Sequence, residues 1–163
     1  MVELDSKQVI DYFHRCYKAV DGLWFMKVEE KYGFDCALDV DNEVWKVMPK
    51  IQARTLKSML KLKHGPDALL KGLKAKLELD SFKFETEKTE NGFRITVTDC
   101  PWHNLMVKSG REKLSATVGD TICNTEYHVL VSELAETMNF KLKSQLCKSS
   151  KCCVMEFTEK ARV

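Results

Sequence analysis

The chain has 163 residues, about one domain's worth at roughly 150 residues per domain. With 44% hydrophobic and 31% charged residues it sits near the globular average, which excludes collagen-like, fibrous and disordered chains. Twenty-six Lys and Arg against twenty-four Asp and Glu, interspersed and netting +2, argue against a charge-driven nucleic-acid or membrane partner. The longest stretch free of Asp, Glu, Lys and Arg, Cys100 to Val107, falls far short of the ~20 apolar residues that span a bilayer. The opening residues Met1 to Asp5 lack the basic-then-apolar pattern of a secretory signal, so a cytoplasmic protein is expected. Seven cysteines are the one compositional excess. An odd count in a reducing compartment points to thiols, metal ligands or redox sensors rather than a disulfide framework.

The first half reads as helices. Val9, Phe13, Cys16 and Val20 recur at helical spacing behind Ser6 as cap, and Gly22 to Tyr32 reads as a second helix ending at Gly33. From Asp41 the positions Val44, Met48, Ile51, Met59 and Leu60 keep the period to about Leu62, with a kink or break expected at Pro49. Gly65-Pro66-Asp67 restarts a helix with Leu69, Leu70, Leu73 and Leu77 on one face and lysines on the solvated one. After Asp80 the period becomes two: Phe82 and Phe84, an Asn91-Gly92 turn, then Phe93, Ile95 and Val97 predict a β-hairpin. Pro101 suits the first position of a short helix capped by Cys100 and stopped near Gly110. A further helix is predicted over Thr121 to Met138, with Ile122, Val129, Leu130 and Leu134 on its apolar side.

Two strands close the pattern. Phe140, Leu142 and Leu146 share one parity and Cys153, Met155 and Phe157 another, so a Lys148 to Lys151 loop would set Leu146 opposite Cys153 and Cys147 opposite Cys152. The expected architecture is a single α+β domain over residues 1–163, a helical N-terminal half packed with an antiparallel sheet of about four strands.

Among residues that can carry chemistry, Cys100 stands first. At a helix N-terminus the macrodipole and unpaired N–H groups favour thiolate, and His103, on the same turn, can act as base or second ligand. Cys123 shares a helix side with Glu126 and Tyr127. Cys100, His103, Cys123, Cys147 and Cys152 include enough ligands for zinc or another transition metal, although no Cys-x-x-Cys knuckle is present. Cys16 and Cys36 are assigned to packing, and His14, His64 and His128 to no site. Trp24, Glu29, Trp45 and Arg54 are polar or aromatic positions amid apolar helices, types that line pockets for anions or planar ligands. No Walker loop, dinucleotide glycine pattern or serine elbow occurs.

Two stretches carry a resemblance. Asp21 to Phe34, continuing through Val44-Trp45 and Gln52-Ala53-Arg54, and Cys100-Pro101-Trp102-His103 leading to Gly110-Arg111, resemble a bacterial and archaeal family labelled as similar to L-2-amino-thiazoline-4-carboxylic acid hydrolase. Ile122-Cys123, Glu126, Cys147 and Cys152 agree with it. The last cysteine spacing is also distantly similar to small-ligand-binding domains related to 4-vinyl reductase, with Lys148-Ser149-Ser150-Lys151 in place of their Gly-Asp loop. The resemblance implies hydrolytic opening of a thiazoline ring. Cys100 and His103 would attack or activate water, Arg111 would hold a substrate carboxylate, and Cys123, Cys147 and Cys152 would bind metal or line the pocket.

The expected function is therefore a cytoplasmic small-ligand-binding domain with a cysteine-rich site holding a metal or cofactor. Cys100, His103 and Arg111 are its candidate catalytic residues; Trp24, Glu29, Trp45, Arg54, Trp102 and Glu126 are candidate ligand contacts; Cys100, Cys123, Cys147 and Cys152 are candidate metal ligands. The rival expectations are a hydrolase of cyclic C–N substrates and a thiol redox-sensing or protein-interaction module. An exposed face on a long helix would allow a homodimer.

Overall fold

The structure, a computed structural model, describes residues 3–161. Its elements run α1 (Ser6–Tyr32), α2 (Phe34–Trp45), α3 (Met48–Leu60), α4 (Pro66–Leu79), β1 (Lys83–Thr89), β2 (Gly92–Asp99), α5 (Pro101–Lys108), α6 (Glu112–Leu134), β3 (Met138–Ser144) and β4 (Cys153–Glu159). The fold is α+β, and the chain divides into two compact units between Glu43 and Val44. No described helix is long and apolar enough to cross a membrane.

In the first unit α1 is one helix where the spacing predicted two. Gly22 costs about 1 kcal/mol in a helix interior, too little to break 27 residues of otherwise compatible chain. The cap is Asp5 rather than Ser6: its carboxylate accepts from the Gln8 N–H (2.8 Å) while the Gln8 side chain accepts from the Asp5 N–H (2.9 Å), closing a capping box. The helix stops at Gly33 (φ 87°), whose N–H donates to the Glu29 carbonyl at 2.8 Å. Phe25 and Phe34 meet edge to face at 5.9 Å across this corner. α1 buries no residue. Cys16 is half-buried and Cys36 exposed, so the packing assigned to Cys36 does not hold.

In the second unit the expected break at Pro49 is present, with the proline in the first turn of α3, where its missing N–H costs nothing. Pro66 likewise opens α4 after Gly65. The sheet order is β1-β2-β4-β3, antiparallel throughout. Its inner face, Phe93, Ile95, Val97, Phe140, Met155 and Phe157, packs with Leu69, Leu73 and Leu77 of α4 and Leu130 and Leu134 of α6 into one core. Phe93 lies opposite Phe157, and the rings stack at 4.7 Å.

Three boundaries differ from expectation. The hairpin turn occupies Glu90-Asn91, and Gly92 already pairs with Thr89 on one side and Thr158 on the other. Gly92 has φ +154°, and a Cβ there would overlap the Phe157 carbonyl oxygen; glycine serves the approach of β2 to β4 rather than the turn. α6 begins at Glu112, not Thr121, and Met138 opens β3 instead of closing the helix. In the closing strands Phe140 faces Phe157 and Leu142 faces Met155, two residues from the expected register but on the same face. A bulge between Leu142 and Ser144 and a 3-10 turn at Leu146–Lys148 end the pairing early. The expected Cys147–Cys152 cross-strand pair therefore does not form.

Candidate functional site

The candidate site is built around the N-terminus of α5. Pro101 fixes the first helical position, and the Asn104 side-chain amide donates to Asp99 at 2.7 Å, anchoring the turn to the end of β2. Cys100 caps the helix as expected, with its Sγ accepting from the His103 backbone N–H at 3.5 Å. The thiolate expected from that position does not follow. Burial raises the Cys100 thiol to about 11, outweighing the hydrogen bond from His103 that favours the charged form.

The His103 imidazole turns to α6. Its Nδ1 lies 2.8 Å from the hydroxyl of Ser115, which is buried, while Nε2 has no hydrogen-bond partner among the described residues. The ring is half-buried, so one nitrogen is clamped and the other is presented. Cys100 and His103 thus meet through backbone and sulfur, with the imidazole engaged elsewhere.

The remaining thiols gather beneath this turn. Cys100, Cys123 and Cys153 pack against the core. Cys153 Sγ accepts from the Leu146 N–H at 3.2 Å. Cys147 sits against α6 at Gly119, where a Cβ would come within 2.8 Å of its sulfur. Gln145, also buried, donates to the Gly119 carbonyl at 3.1 Å and holds the 3-10 turn there. Burial raises the Cys123, Cys147 and Cys153 thiols, and burial with the charge of Glu126 raises the Tyr127 phenol. Cys152 is half-buried just before β4, and Cys153 packs against the core, the inward face that its parity with Met155 and Phe157 predicts. Among the described residues no group of three or more His, Cys, Asp or Glu is arranged to hold a metal ion. The expected ligand set Cys100, Cys123, Cys147 and Cys152 is accordingly not a formed metal centre.

Protonated, buried thiols dictate a pH response. A thiol whose folded value is raised stabilises the fold fully below its unfolded value, and that contribution drains away as pH rises through the folded value. For Cys100 the window runs from its ordinary 9.0 to about 11, and the loss by its upper end is roughly 2 kcal/mol. Urea midpoints should be flat from pH 7 to 8.5 and fall steeply above 9; a flat profile to pH 11 would contradict the burial. At pH 7.5 a thiol reagent should modify exposed Cys36 first and Cys100 and Cys123 only on unfolding.

Beside Cys123, one turn along α6, Glu126 is buried with Lys76 of α4. Lys76 Nζ donates to Asp80 Oδ2 at 2.7 Å and makes a close ionic contact of 2.7 Å with Glu126 Oε1. Burial works against the ammonium, yet the two carboxylates outweigh it and hold the lysine above its ordinary value. The lysine expected on a solvated face is thus an interior cation. The spacing held a signal: Lys76 follows Leu69 by seven residues and Leu73 by three, which puts it on the apolar stripe.

The other expected contacts divide. Trp45 and Trp102 meet edge to face at 6.0 Å, with Trp102 in the first turn of α5. Arg111 is half-buried at the start of α6, its N–H donating to the Met106 carbonyl at 2.8 Å. Arg54 is an exposed side chain 3.6 Å from Glu133, a surface ion pair. Trp24 and Glu29 belong to α1 in the first unit. Sequence reasoning missed Ser115, Lys76 and Asp80 and placed Cys153 on the core face without counting it in the site; Lys76 and Cys153 had periodic signatures.

No curated protein and no solved structure matches the chain. The family pattern described as "family of unknown function (DUF6125)" matches residues 3–158, nearly all of the sequence, and the chain belongs to that family.

Proposed function

We propose that the second unit is a cytoplasmic binding module for a small organic molecule received at the N-terminal end of α5. The observation that carries the reading is His103, with Nδ1 clamped on buried Ser115 and Nε2 left for a ligand. An imidazole oriented through one nitrogen loses little freedom when the other binds. The Trp45–Trp102 pair supplies an apolar flank, and the guanidinium of Arg111 suits a carboxylate on the ligand. Raised thiols favour binding over nucleophilic or redox chemistry, because the thiolate is the reactive form.

The second reading is hydrolysis of a thiazoline or related cyclic C–N substrate, in keeping with the resemblance carried by Cys100 to Arg111. On this reading His103 Nε2 takes a proton from water as the water oxygen attacks the C=N carbon. The π pair moves to the ring nitrogen, which receives that proton from the imidazolium. The tetrahedral carbon then loses its hydroxyl proton to form C=O as the C–S ring bond breaks and sulfur leaves as a thiol; Cys100 stays a neutral cap.

Thermal denaturation with 2-aminothiazoline-4-carboxylate and related cyclic amidines tests both readings. A ligand at about 100 times its Kd should raise Tm by roughly 5 to 10 °C, and His103→Ala should abolish the rise while lowering the unliganded Tm by only about 2–10 °C, the effect of the stranded Ser115 hydroxyl. An equal rise in His103→Ala, or none in the wild type, would remove the site. If ring opening is also seen, Cys100→Ser should retain it and His103→Gln should not.

A further inference from the structure

In the first unit α1 carries an apolar seam that is exposed at most of its positions, with Tyr17 in its middle half-buried. Along α1, Ile10, Phe13, Tyr17, Val20 and Trp24 follow one another at alternating steps of three and four residues, the spacing that keeps side chains on one line of a helix facing a partner. Leu23 flanks the line. Ile10, Phe13, Val20, Leu23 and Trp24 are between 55% and 67% exposed. A helix of 27 residues is about 40 Å long, so the seam runs over about four turns.

The exposed area is that of a monomer's largest apolar patch, the kind that is often functional. Large side chains of this kind leave roughly 100 Å² each in water, which makes the five together about 500 Å², before Tyr12, Met26 and the aliphatic stems are added. The largest apolar patch on a typical monomer is about 300–600 Å². Each side of a standard protein interface hides about 800 Å². One helix therefore carries most of what one side of a stable dimer requires.

We infer that a second copy of this chain covers the seam, pairing α1 with α1 antiparallel. A heptad seam is complementary to itself and needs no other shape. Charge selects the direction. The N-terminal part of α1 carries Lys7, Asp11, Arg15 and Lys18, a net positive set, while Asp21, Lys27, Glu29, Glu30 and Lys31 make the C-terminal part net negative. Antiparallel pairing sets each half against its opposite and aligns the helix dipoles favourably. It also faces Phe13 with Trp24, and Tyr17 with Val20, of the other copy. In a parallel pair Lys27, the next residue on the seam, would face itself. This inference stands independently of the ligand reading.

Sedimentation equilibrium of the full chain at 5 to 50 µM (on the order of ordinary dimer affinities) is the deciding measurement. A dimer mass is expected, and a monomer across that range overturns the proposal, including the case in which α1 folds back on its own chain. Phe13→Asp with Val20→Asp should give a monomer that keeps its helical circular dichroism; a persistent dimer overturns it. Direction is read without disrupting the seam strongly, by oxidising a Phe13→Cys, Trp24→Cys variant and mapping the crosslinks. Links from position 13 to position 24 support the antiparallel pair, and links of 13 to 13 overturn it.

Discussion

Lys76→Met should lower the unfolding free energy by about 3–5 kcal/mol, the usual result of removing one partner from a buried ion pair. The change leaves Asp80 and Glu126, both largely buried, without the cation that balances them, and the cost is that of two stranded carboxylates rather than of one lost contact. The corresponding fall in Tm is roughly 10–15 °C for a domain of this size. Urea denaturation at pH 7 measures it. Adding Glu126→Gln and Asp80→Asn to the same variant should recover most of the loss, since the uncharged set strands nothing. A loss under 1 kcal/mol in the single variant would mean that water compensates the carboxylates. The sign with pH is distinctive. Because the lysine is held above its ordinary 10.5, its contribution is complete below that value and drains only in stronger alkali, so between pH 9 and 10.5 the decline belongs to the buried thiols, joined near pH 10 by the raised Tyr127 phenol, and the wild type and Lys76→Met should fall in parallel.

Gly92→Ala is the second large effect. The new methyl would overlap the Phe157 carbonyl oxygen at a φ of +154°, a backbone that L residues rarely adopt. β2 and β4 must then separate along the inner pair of the sheet, where Phe93 stacks on Phe157, and the expected cost is at least ~3 kcal/mol. Gly22→Ala is the matched control. Nothing lies within 4 Å of a Cβ there, and alanine in a helix interior should stabilise by about 0.5–1 kcal/mol. Equal effects at the two positions would show that conformational freedom, rather than close approach, explains Gly92.

Elements with punctuation were legible in the sequence. Pro49, Pro66 and Pro101 each stand in the first turn of a helix because the constraint is local and steric, and Gly33 ends α1 for the same kind of reason. The Cys100 cap was legible too. Its ionisation was not, since the dipole of the turn is local while the burial that overrides it comes from α6 and β4. The closing register slipped by two because the bulge near Ser144 and the 3-10 turn at Leu146–Lys148 consume residues that a simple hairpin would pair. A slip of two leaves each side chain on its face, so Cys153 points inward as its parity with Met155 and Phe157 predicts, while the Cys147–Cys152 pairing is lost. Ser115 was invisible: a serine twelve residues from His103 becomes its partner only when α5 folds back along α6.

The strand order carries one more consequence, for the growing chain on the ribosome. β4 is the last strand in sequence yet lies between β2 and β3, so the hairpin β1-β2 and the strand β3 emerge with no bond between them and with their inner edges bare. Translation at about 5–20 residues per second leaves the interval from Asp99 to Cys153 open for several seconds, an exposure during which unpaired edges invite other chains. Closure then comes in one insertion, with β4 supplying ladder bonds to both neighbours at once. Folding of the second unit is thereby tied to the completion of its final strand, and fragments that stop short of it should be substrates for chaperones rather than partial versions of the fold.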